Sequence, residues 1–519
     1  PSMNSSIPDI FARLGVRAEH VLVPGARGDG AGELRPLLEA IHWNYAAKIL
    51  EAARTAALTD RLYPVLVTSF KCTPDSYVIE YFKNIMDSHG KPYLVLQLDE
   101  HDSSVGYETR IEAGVRSFRN HFASLREAPG GESLRAVNPG VTRDRDALAG
   151  RTLLLPNWDW VTGRLLEANL RGAGIDARLM IETADSIRRS LRLNTGQCLP
   201  LSAVTQCAED YIAAHGLDPA KTALWLFNSS ISCNVRMFPY YVKRLLEARE
   251  LGEVAIYVGD ITFLDMSVAT AVDAYFAYMF GGLLRKAGCR MRPYEMVKGS
   301  VDAALAEALE LIARAFEAGG SKEEAVRMAV ELLKNVPVKR TARPRVAVFG
   351  DLYVRDNDVM NQGLVRLIEE HGGEVVTTPY SDYMNIIADP YIRKWVREGL
   401  WGGAAAAKAL QLTVPLFAKK YFDMFNEVIQ DPPHAAVDDW EEVLASLRVS
   451  VEHTGESMDN ILKIFSLLRT YPDISLFVQT NPSYCCPALV TEAMAGEIER
   501  ITGVPVVTIE YDGTGGPRN

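Results

Sequence analysis

The chain has 519 residues, 48% of them hydrophobic and 23% charged, with a formal net charge of -11. That length holds two to four domains with ample apolar content for their cores, and the acidic balance argues against a nucleic-acid partner. No stretch is long and apolar enough to span a bilayer, the best being the short run around Ala274–Leu284.

In chain order, a short helix with Ile10 and Leu14 precedes a strand at Val21–Pro24. Gly25, Gly28, Gly30 and Gly32 then open a helix running from Leu34 past Trp43 and Ile49. Their spacing is not Gly-x-Gly-x-x-Gly, so a surface turn is preferred to a phosphate-binding loop. The apolar run Pro64–Thr68 reads as a buried strand that breaks into Cys72 and Pro74, followed by a helix over Tyr77–Met86. A strand over Pro92–Leu98 runs into Asp99-Glu-His-Asp102 and a helix with Ile111, Val115 and Phe118 on one face. In that turn Glu100 and His101 are candidate acid–base groups, against the plainer reading of a solvated loop. A breaker-rich stretch over 128–140 places a boundary near 145.

The second segment opens with strands at Thr152–Pro156 and Ala177–Met180 around a helix through Leu165 and Leu170. Cys198 in Gln197-Cys-Leu-Pro200 follows, then a strand from Thr222 that breaks into Cys233 ahead of another helix. A strand at Val254–Val258 and helices over about 267–288 and 300–335 complete this part. Prolines and basic residues over 336–345 form a second linker. The third segment begins with the strand Val346–Gly350, broken by Asp351-Leu-Tyr-Val-Arg-Asp-Asn-Asp358, and carries helices over much of 358–371 and 389–430. A strand from Ile474 ends in Tyr484-Cys-Cys-Pro487, and the last strand is Val504–Tyr511. Strands alternating with helices predict an α/β fold of serial Rossmann-like units, parallel sheets covered by helices, over 1–145, 146–342 and 343–519.

Seven cysteines, odd in number and widely spread, do not form a secreted disulfide framework, and the N-terminal residues carry no signal-peptide pattern. A reducing cytoplasm is the expected compartment. Cys72, Cys233 and Cys485 share one arrangement of strand, loop, cysteine and helix; Cys198 also precedes a helix. Ligands of parallel sheets gather beyond the carboxyl ends of strands, and a thiol facing a helix N-terminus favours the thiolate that binds metal. Iron–sulfur clusters take widely spaced cysteines of this kind, whereas a buried cysteine needs no function. Cys207 and Cys289, inside helical runs, read as core residues. No short Cys or His pair suggests zinc, and no Gly-x-x-x-x-Gly-Lys-Ser/Thr loop is present.

With those motifs in hand, the chain resembles the part of large acyl-CoA dehydratase activase-related proteins that follows their ATPase domain, in the superfamily of 2-hydroxyacyl-CoA dehydratases and double-cubane-cluster proteins. The matching segments are Phe70–Asp75, Leu98–Glu112, Gln197–Pro200, the Cys233 loop, Val451–Glu456, Asn481–Met494 and Glu510–Thr514. The resemblance implies an iron–sulfur cluster, either [4Fe-4S] or double-cubane [8Fe-9S], with Cys72, Cys198, Cys233 and Cys485 as ligands and Cys485 ranked above Cys486. It implies an ATP-hydrolysing activase with its own cluster as electron donor, in an oligomer that reduces a small substrate. A 2-hydroxyacyl-CoA dehydratase-type subunit and a cluster-free scaffold are the alternatives. A double cubane leaves six irons needing ligands, so an upstream segment or second chain is expected to supply further cysteines.

Overall fold

The computed structural model describes residues 6–20, 34–41, 43–68, 74–98, 104–124, 140–193, 198–226, 233–259, 267–432, 437–452 and 455–515. Among these residues the strands are β1 (Val65–Thr68), β2 (Leu94–Gln97), β3 (Val141–Thr142), β4 (Thr152–Leu155), β5 (Asp176–Leu179) and β6 (Thr222–Trp225). They continue with β7 (Ala255–Tyr257), β8 (Arg345–Gly350), β9 (Glu374–Val376), β10 (Ile474–Pro482) and β11 (Val506–Tyr511). They form a pair β1-β2, a sheet of order β3-β7-β6-β4-β5 and a sheet of order β11-β10-β8-β9. Every pairing between these strands is parallel, and helices alternate with them along the chain, which is the expected α/β fold. The central strands β4, β6 and β8 are apolar and buried on both faces, as a parallel sheet covered by helices requires.

Several elements differ from the expectation. β3 and β9 are too short, at two and three residues, to have a readable period. The helix expected from Leu34 past Ile49 is two, Arg35–Ala40 and Asn44–Ala57, because Ile41 and Trp43 are extended and the Trp43 indole donates to Asn234 Oδ1 at 3.0 Å. The helix expected over 300–335 is also two, Ser300–Glu317 and Lys322–Lys334, the second capped by the Ser321 hydroxyl. The strand expected at Val21–Pro24 and the glycines after it lie outside the described residues.

The chain separates into two compact units. The smaller comprises 1–140 with 195–198 and 234–241; its core joins Ile10 and Phe11 to Leu96, Ile111 and Val115, and Tyr77 stacks on Phe238. The larger comprises 141–194, 199–233 and 242–519, and so holds both larger sheets. β3 pairs with β7, so the five-stranded sheet begins ahead of residue 146. The buried helix Val268–Met291 joins the two sheets' surroundings. A Cβ at Gly281 would lie 2.4 Å from Thr162 Oγ1, and one at Gly282 2.5 Å from Pro379 Cβ. Two successive glycines therefore let this helix touch the helix after β4 and the segment after β9 at once. The larger unit thus takes in most of 146–342 together with all of 343–519. No described helix is long and apolar enough to cross a membrane.

Candidate metal centre

β8 lies inside its sheet, with β9 on one side and β10 on the other. The chain thus reverses its winding direction between β8 and β10, and the crevice at a parallel sheet's carboxyl end opens at such a switch point. β8 ends at Gly350, whose φ is +129° and where a Cβ would sit 2.1 Å from the Thr480 carbonyl oxygen of β10. Only glycine lets the strands stay paired here, with the Asp351 N–H donating to Thr480 O at 2.9 Å. The Asp351 carboxylate then turns the chain by accepting the Tyr353 N–H at 2.8 Å.

Three side chains meet at this edge. Asp351 follows β8, Cys485 follows β10, and Glu456 begins the helix Glu456–Thr470 that leads into β10. One carboxylate oxygen of Asp351, one of Glu456 and the Cys485 sulfur all lie within 4.8 Å of one another, and all three residues are buried. Glu456 accepts the Leu352 N–H at 2.9 Å, which ties its helix to the loop after β8. Cys485 is the N-cap of the helix Cys486–Ala493, reached through Tyr484 at a φ of 61°. Among the described residues no other three His, Cys, Asp or Glu side chains come this close.

The helix Glu456–Thr470 carries further buried polar groups on the same side. Asn460 stands one turn beyond Glu456, is 1% exposed, and neither its amide oxygen nor its nitrogen has a hydrogen-bond partner. Lys463 is fully buried, and burial, reinforced by the Arg355 guanidinium, pushes its ammonium down to about 7. Asp459 accepts from the Tyr391 hydroxyl at 3.2 Å. On β10, Gln479 donates to Asn481 Oδ1 at 3.3 Å, while Asn481 Nδ2 has no partner.

A second polar layer joins the carboxyl ends of the two sheets. β4 lies between β5 and β6, so the five-stranded sheet has its own switch point between β4 and β6. Asn157 and Asp159 follow β4 and Glu182 follows β5, all buried. Asn357 from the loop after β8 donates to the Asn157 carbonyl at 3.0 Å, and Asn157 donates to Glu182 at 3.0 Å. Arg285 donates from Nε to Asp159 at 3.2 Å and from Nη2 to the Asp356 carbonyl at 2.7 Å. Burial raises Asp159 despite Arg285, whereas for Asp356 the Arg355 and Arg285 guanidinium groups outweigh burial and lower it. Burial also raises Glu182 to about 7.

Of the expected site residues, Cys72, Glu100 and His101 lie outside the described residues. Cys198 is buried immediately before the helix Leu199–His215. Cys233 is half-buried immediately before the turn Asn234–Met237, and follows β6, which flanks the switch point of the five-stranded sheet. Cys485 is buried beside the Asp351 and Glu456 carboxylates, while Cys486 is exposed. Cys207 and Cys289 lie within helices, their thiols raised by burial, Cys289 to about 12. Asp351, Glu456, Asn460, Lys463 and Asn481 were not among the expected site residues. The signal for Asp351 was its place directly after a predicted strand; for the others it was the sheet order, which no local pattern carries.

A cubane takes four thiolates. The described residues at this edge bring one thiol beside two carboxylates, a donor set that does not fit a cubane. No family model and no curated protein matches the chain.

Proposed function

We propose that the chain is the metal-bearing component of an ATP-dependent low-potential reductase, receiving electrons from an activase ATPase and reducing a small substrate. One observation supports this reading: Cys233 follows β6, one of the strands that flank the switch points of the two sheets in the larger unit. Those are the places where parallel sheets hold ligands, and cysteine is the donor that iron–sulfur centres use. A cluster supplies single-electron transfer. The protein's own contribution is burial and hydrogen bonding around the thiols, which set a potential. Cys72, Cys198 and Cys233 are the thiols assigned to a cluster, and Cys485 is a metal ligand of the edge described above. Iron and acid-labile sulfide in anaerobically purified protein test this. Cys72→Ala, Cys198→Ala and Cys233→Ala should each lower both, and Cys289→Ala neither; equal contents in all four variants would sink the assignment.

A further inference from the structure

We propose that Asp351, Glu456 and Cys485 hold a single divalent transition-metal ion, separate from any iron–sulfur cluster. The inference shares with the proposed function only the premise that Cys485 binds metal. The donor set selects the ion. Two carboxylates and a thiolate carry three negative charges. The oxygens alone would suit magnesium or calcium, but a thiolate selects Zn²⁺, Fe²⁺ or Co²⁺. Such an ion draws its donors to roughly 3.5 Å apart, given metal–oxygen and metal–sulfur bonds of about 2.0–2.3 Å. The three donor atoms already lie within 4.8 Å of one another, so small side-chain rotations close the site.

Asn460 points independently to a ligand. Side chains at i and i+4 of a helix share a face and lean towards the N-terminus, so Asn460 leans over the turn that Glu456 occupies. Its amide is 1% exposed and unpartnered at both ends. Buried amides are almost always hydrogen-bonded, so an amide oxygen here is a ready fourth ligand or the anchor of a metal-bound water. Asn481 makes the same case from the sheet. Thr480 pairs with Gly350 and accepts the Asp351 N–H at 2.9 Å, and Asn481 is the next residue of β10. Its unpartnered Nδ2 suits the carboxylate oxygen that faces away from the metal, the orienting contact that metal-binding carboxylates have. On binding, the Cys485 thiol loses its proton to solvent as the metal–sulfur bond forms.

The test uses the full chain with a Cys486→Ser substitution to remove the exposed neighbouring thiol, stripped with chelator and titrated with Co²⁺. The expected result is tight binding of cobalt with a thiolate-to-cobalt charge-transfer band in the near ultraviolet. One equivalent of cobalt and its share of the band should disappear in Cys485→Ser. Asp351→Asn and Glu456→Gln should each weaken that equivalent by at least about tenfold. Saturating Co²⁺ should raise the melting midpoint by about 5 °C, and in Cys485→Ser by less. A band unchanged in Cys485→Ser, or a starting protein with no band and no melting shift, overturns the proposal; the latter decides even if a variant fails to fold. Acid-labile sulfide separates the two readings. Sulfide retained in Cys485→Ser supports a separate ion, and sulfide lost there overturns it while keeping the iron–sulfur reading. Native protein without sulfide refutes the iron–sulfur reading and leaves this one to the cobalt result.

Discussion

Glu182 should make the larger unit less stable as pH rises, and Glu182→Gln should remove that dependence. The carboxyl is buried where the segment after β5 meets the loop after β8, held by donors from Asn157 at 3.0 Å and from Asn357 at 3.3 Å. Desolvation outweighs those donors and lifts it from 4.5 to about 7. The folded state therefore binds this proton more tightly than the unfolded state does. Its contribution is complete below the unfolded value, falls as pH rises through the folded value, and is absent above it. A shift of about 2.5 units at 1.36 kcal/mol each is worth about 3 kcal/mol. Below the transition Glu182 is neutral and glutamine is nearly its isostere, so the two proteins should match. Above pH 8 the glutamine variant should be the more stable by about 3 kcal/mol. Urea unfolding followed by the fluorescence of the buried Trp158 and Trp225, at steps between pH 4.5 and 8.5, measures the difference. A gap that does not change with pH, or a wild type that gains on the variant as pH rises, would refute the reasoning.

Gly350→Ala should cost on the order of 3 kcal/mol, because a Cβ would meet the Thr480 backbone oxygen at 2.1 Å in a conformation L residues avoid. It should also weaken cobalt binding by displacing Asp351, which a melt and a titration on the same sample would show; an unchanged melt would mean the strand ends are not locked. Arg285→Met leaves the buried Asp159 without its guanidinium partner and should cost about 3–5 kcal/mol, read from urea midpoints. Adding Asp159→Asn should recover most of that loss, and failure to recover would place the cost in lost packing.

The architecture was legible locally. Short apolar runs ended by Gly350, Pro156 or a cysteine loop, alternating with amphipathic helices, were enough to place nine of the eleven strands among the described residues and the α/β class. Backbone chemistry is local, and a strand buried on both faces must be apolar throughout. The cysteines after strand ends were visible for the same reason: a loop position is a property of the chain. Their partners were not. Asp351, Glu456 and Cys485 are separated by long stretches of sequence, and nothing in their own neighbourhoods says that β10 pairs with β8 rather than with β9. Sheet order is decided by which apolar faces pack best once helices such as Val268–Met291 and Glu456–Thr470 are in place, a free-energy balance over the whole unit. The single thiol between two carboxylates, the unpaired amide of Asn460 and the raised Glu182 all depend on that order. Local chain chemistry says which residues end strands; the packing of the whole unit selects which of those ends meet, and so which chemistry the crevice holds.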